Sequence, residues 1–135
     1  RGVILREGND ITIISTGSIM HEVLSAVDEL RKAGISVRLI NMHTLKPIDE
    51  EIILEAAHDT KAILTVEEHS TIGGLGGCVA ELLLENCNKA IQFKRMGFDN
   101  AFPSSYGTYQ EMKEINGLSK NDIFREAKAL FDKKK

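Results

Sequence analysis

The residue pattern predicts an α/β fold: a three-layer open sheet, mostly parallel with one antiparallel N-terminal edge strand, and helices on both faces. Two observations predict it. Short β-prone runs alternate with amphipathic helical stripes in the order βαβαβαβ, and that alternation demands a parallel sheet covered on both sides. The chain has 135 residues, 42% of them hydrophobic, the size of one ordinary domain, with no internal repeat, low-complexity segment or linker. Residues 1–135 are therefore read as a single domain.

The elements follow in order. Val3 to Leu5 and Ile11 to Ile14 are β-prone runs separated by Arg6-Glu7-Gly8-Asn9-Asp10, a turn-rich spacer that suits an antiparallel hairpin whose second run is an inner strand. After Thr16-Gly17-Ser18, the apolar positions Met20, Val23, Leu24, Val27 and Leu30 form a helical stripe, opened by a Ser18 cap and closed at Gly34. Val37 to Met42 is the next strand. Pro47 and Asp49 start a helix through Ile52, Ile53, Ala56 and Ala57, and Ala62 to Val66 is a third apolar strand. Gly73, Gly74, Gly76 and Gly77 form a tight connection into a helix carrying Val79, Leu82 and Leu83, and a fourth strand lies around Ile91 to Arg95. Beyond Gly97 come an irregular stretch through Pro103, a helix around Tyr109 to Ile115 stopped at Gly117, and a last helix. In that last helix Ser119 and Asp122 have capping-box spacing, and Ile123, Phe124, Ala127, Leu130 and Phe131 share one face.

Composition excludes several classes of function. The net charge of -3 comes from interspersed acids and bases, so there is no basic stripe to track a phosphate backbone, and nucleic-acid binding is not expected. No apolar run approaches a membrane span or a signal-peptide core, and the reading is cytoplasmic, without membrane contact. Cys78 and Cys87 fall on opposite faces of one expected helix, roughly 13 Å apart along its axis, so they are read as two buried free thiols of a reducing compartment. The chain starts at Arg1 rather than methionine, which is read as a piece of something longer, or as processing.

Ligands of open parallel sheets bind outside the carboxyl ends of the strands. Thr16-Gly17-Ser18, Met42-His43-Thr44 and Glu67-Glu68-His69-Ser70 all fall there. The glycine run is the strongest candidate for an anion site, because glycine-freed amides at a helix N-terminus cradle phosphates. Gly73-Gly74-Leu75-Gly76-Gly77 nevertheless lacks the G-x-G-x-x-G spacing, with Val79 at the last glycine position, and no Gly-Lys-Ser/Thr follows it. The preferred reading is that these glycines let the helix approach the sheet closely. On an extended chain Glu67 and His69 share one face and Glu68 points the other way, a poor arrangement for acid-base or metal work. His21, His43 and His58 stand in no metal-ligand spacing. No catalytic, cofactor-binding or metal residue is expected; the candidate interface or anion residues are Gly17, Ser18, Glu68, His69, Gly73, Gly74 and Gly76.

Ile13-Ile14-Ser15-Thr16-Gly17-Ser18, Leu45-Lys46-Pro47-Ile48-Asp49, Thr65-Val66-Glu67-Glu68-His69 and Ile72-Gly73-Gly74-Leu75-Gly76 together, and in this order, resemble the successive signatures of the transketolase C-terminal domain. The resemblance continues through Gly97, Asp99, Phe102, Gly117-Leu118-Ser119 and Ile123. Pro103-Ser104-Ser105-Tyr106-Gly107 departs from the Phe-Gly-x-Ser-Gly-like sequence usual there. The resemblance implies a three-domain enzyme in which the other two domains hold thiamine diphosphate and magnesium, with no cofactor in this chain. The Gly-Asp-Gly element of the cofactor site does not occur in this sequence. The implied reaction transfers a two-carbon ketol unit between sugar phosphates. The implied partners are the remaining transketolase domains or subunit and a homodimer mate, with this domain inactive alone. Deoxyxylulose-phosphate synthase and 2-oxoacid dehydrogenase beta subunits share the domain and are the alternatives within enzymes. A non-catalytic small-anion-binding regulatory module is the alternative outside them.

Overall fold

A computed structural model describes residues 2–16, 19–42, 48–67, 74–86, 90–97 and 119–133. Along them run β1 (Gly2–Arg6), β2 (Ile11–Ser15), α1 (Met20–Lys32), β3 (Val37–Met42), α2 (Glu50–Asp59), β4 (Ala62–Glu67), α3 (Leu75–Asn86), β5 (Gln92–Gly97) and α4 (Lys120–Asp132). The strands form one sheet in the order β1-β3-β2-β4-β5. Only β1 runs antiparallel to its neighbour; β2 pairs parallel with β3 and β4, and β4 with β5. The mostly parallel sheet with an antiparallel N-terminal edge is thus the observed architecture.

The expected hairpin does not form. β1 is antiparallel to β2 in direction but pairs with β3, with Gly2 opposite Met42 and Ile4 opposite Ile40. The reason lies in burial. All five residues of β2 are buried, whereas β1 is mixed, with Val3 44% exposed. A strand apolar on both faces belongs inside, flanked on both edges by parallel partners, and the half-solvated strand goes to the rim. The connection from β1 therefore crosses the start of β3. Ser36 N donates to Asp10 Oδ2 at 2.7 Å, Asp10 N to Ser36 O at 2.8 Å, and Asn9 N to Ser36 Oγ at 3.0 Å. Gly8 makes the crossing possible: a Cβ there would stand 2.2 Å from Val37 C and 2.5 Å from Arg38 N.

Helices cover both faces, as expected. Buried residues of α1 and α4, among them Val23, Val27, Leu30, Ile123 and Ala127, pack with Ile11, Ile13, Leu39 and Leu64 on one face. On the other face Ile53, Ala56, Val79 and Leu82 of α2 and α3 pack with Ile14, Ile40 and Ile63. Burying each of the valines, leucines and isoleucines among them contributes about 1.5–3 kcal/mol.

The helix ends follow their local sequence. Gly34, at φ 86°, closes α1 in a Schellman motif, with Ile35 N donating to Leu30 O and Gly34 N to Arg31 O, both at 3.0 Å. Asp49 caps α2 by accepting from Ile52 N at 3.3 Å, and its other oxygen accepts from Gly2 N at 3.1 Å, tying the edge strand to the helix. Ser119 and Asp122 form the expected capping box on α4. The buried Glu22 of α1 adds a bond that crosses between helices, accepting from Lys120 N at 3.1 Å. Ser18, Pro47, the expected helix around Tyr109 to Ile115 and Pro103 to Gly107 lie outside the described residues. So does Cys87; Cys78 sits in α3 as a free thiol that is half-buried rather than buried.

Polar groups on the sheet are mostly satisfied internally. Thr12 and Thr60 share a hydroxyl contact of 2.8 Å, and Ser15 Oγ donates to Val66 O at 2.9 Å. At the amino ends of the strands the nearly buried Arg38 guanidinium donates to Asp59 Oδ2 at 3.1 Å and stands 3.7 Å from Glu7. The His58 ring and then Arg38 hold the Asp59 carboxyl below its ordinary value. This clamp joins the β1–β2 connection, β3 and the end of α2, on the side of the sheet away from the crevice.

Candidate functional site

The strand order reverses between β2 and β4: the chain leaves β2 toward β3 on one side and then returns to β4 on the other. The crevice of such a sheet opens at this switch point, outside the carboxyl ends. β2 ends at Ser15 and β4 at Glu67. Of the seven candidate residues, Gly17 and Ser18 follow β2 in sequence and Glu68, His69 and Gly73 follow β4, and these five lie outside the described residues. Gly74 and Gly76 are described.

The described part of the crevice is organised by a residue absent from the candidate set. Glu67 is 2% exposed. Its Oε1 accepts from Leu75 N at 2.9 Å and its Oε2 from Gly76 N at 2.8 Å. Both carboxylate oxygens thus meet the first amides of α3, where the helix dipole favours negative charge. The anion position expected at the glycine run is taken by the chain's own side chain. β4 extends one residue beyond the expected Val66, and that residue is the cap.

Local sequence explains why the cap comes from a distance. Gly74, immediately before α3, has no side chain to accept from the helix amides, and α3 has no acid in its first turn. An acceptor had to come from another element. The missing cap ahead of a glycine-rich helix, with an acid at the end of the preceding strand, was the available signal.

Gly76 and Gly77 belong to the first turn of α3 rather than to the connection before it. A Cβ on Gly76 would lie 2.6 and 2.8 Å from Arg95 Cδ and Cγ and 3.0 Å from Thr65 Oγ1. Glycine at this position therefore lets α3 lie close on β4 and β5, the packing reading of the glycine run. At Gly77 an added Cβ would meet nothing within 4 Å. Thr65 Oγ1 beneath this contact is buried and makes no hydrogen bond among the described residues.

Among the described residues no group of three or more His, Cys, Asp or Glu side chains could hold a metal ion, and no helix is long and apolar enough to cross a membrane. With the α3 amides occupied by Glu67, the described residues do not fit a magnesium diphosphate.

A doubly wound sheet with one antiparallel edge, a helix start capped by a strand-end carboxylate and an added C-terminal helix define an open-sheet α/β domain. The chain belongs to the family described as transketolase, C-terminal domain, whose profile matches residues 1–123. It is 41% identical over 131 residues to a 6-deoxy-6-sulfo-D-fructose transketolase subunit of Clostridium sp. (strain MSTE9), covering 97% of this chain and 40% of that protein. It is 35% identical over 133 residues to 1-deoxy-D-xylulose-5-phosphate synthase of Heliobacterium modesticaldum, covering 98% of this chain and 20% of that one. Among solved structures, a split gene transketolase described as an inactive β4 tetramer superposes with a TM-score of 0.88 at 39% identity, covering 97% of this chain and 42% of that one. The chain thus spans 20–42% of the length of these relatives.

Proposed function

We propose that this chain is the C-terminal domain, or part of the C-terminal subunit, of a transketolase, and that it supports assembly of an enzyme moving a two-carbon ketol unit between sugar phosphates. The observation that carries this reading is the similarity along nearly the whole chain to a transketolase subunit and to a split-gene transketolase, joined to a crevice whose helix amides are already occupied by Glu67. Thiamine diphosphate and magnesium belong to the other domains of the enzyme. Bound there, the cofactor would supply the nucleophilic chemistry of ketol transfer. This chain's residues act on the assembly: Glu68 and His69, following β4, with Gly17, Ser18 and Gly73, are the contacts to the remaining domains and to a homodimer mate. Gly74 leaves the start of α3 to the Glu67 cap, and Gly76 sets how closely α3 lies on the sheet. The location is cytoplasmic.

The alternative enzyme reading is a deoxyxylulose-phosphate synthase domain, supported by the Heliobacterium relative. A substrate panel on the complete enzyme separates the two. The transketolase reading expects transfer from xylulose 5-phosphate to ribose 5-phosphate. Formation of 1-deoxy-D-xylulose 5-phosphate with no ketol transfer would replace it. For the small-anion regulatory module, the carboxylate already seated on α3 weighs against an anion at the glycine run.

A further inference from the structure

We draw no further inference here: the strongest candidate, the N-terminal end of α1 at the carboxyl edge of β2, where Ile19 supplies no side-chain cap, is a helix N-terminus with no second observation on the described residues that points to a ligand.

Discussion

A side chain as buried as Glu67 needs its polar oxygens bonded, and here two backbone amides at the start of a helix do so. Its removal is therefore felt from both sides of the contact. Glu67→Ala strands the Leu75 and Gly76 amides and is expected to cost about 3 kcal/mol, read as a fall in the urea midpoint. Glu67→Gln keeps one acceptor, presents an NH2 group to the other amide, and should fall between that variant and the parent. Equal midpoints for all three proteins would show that the contact contributes nothing. The two glycines of α3's first turn give a paired test. Gly76→Ala drives a methyl into Arg95 and Thr65 and should destabilise by about 1–3 kcal/mol. Gly77→Ala, with open space around the new methyl, should be neutral or stabilise by up to about 1 kcal/mol through helix propensity. A reversed order in thermal unfolding would mean that the helix sits elsewhere on the sheet.

The elements divide by how local their causes are. α4 was legible because its determinants lie within one turn: Ser119, Asp122 and the apolar face from Ile123 to Phe131. Gly34 was legible for the same reason, since the Schellman bonds span only a few residues. β1 was misplaced because adjacency in a sheet is settled by burial across the whole molecule, and no five-residue spacer encodes it. For Glu67, extended-chain geometry gives only the face it takes; its partners lie eight and nine residues further on in sequence. Most of the candidate interface residues fall outside the described segments, so their role rests on sequence.

Two predictions belong to the elements. Ser119→Ala removes the hydroxyl that accepts from Asp122 N and should cost α4 about 1 kcal/mol, seen as earlier loss of that helix's amides from hydrogen-exchange protection. The Asp122 carboxyl is raised by burial, but its bonds to the Ser119 hydroxyl and to Arg125 outweigh this and leave it below the ordinary value of 3.8. A depressed native value means the unfolded chain binds the proton first. The stabilisation is complete above the ordinary carboxylate range and disappears as pH falls through the lowered native value. Asp122→Asn should therefore be less stable than the parent at neutral pH, with the difference shrinking in acid. A gap in urea midpoint that stays constant from pH 6 to pH 2.5 would contradict this.

At the scale of the whole molecule, the fold offers a sheet with helices on both faces and a crevice in which the first two amides of α3 are bonded to Glu67. On the proposed reading, such a domain contributes by what it contacts. Calorimetry with thiamine diphosphate and magnesium should give no saturable heat on this chain alone, and micromolar binding would mean that a cofactor site had been overlooked. Within the assembled enzyme, replacing both Glu68 and His69 by alanine should weaken association, since removing one partner of a desolvated interfacial charge pair costs about 2–5 kcal/mol. Full activity and full assembly in that double variant would move the contact elsewhere and leave the supporting role in place. The supporting role itself is tested most directly by add-back. The remainder of the enzyme, lacking this domain, is assayed for oligomeric state and for ketol transfer from xylulose 5-phosphate to ribose 5-phosphate, with and without this chain. The account predicts that adding the chain restores both assembly and transfer, and it is contradicted if the remainder is equally active and equally dimeric without it.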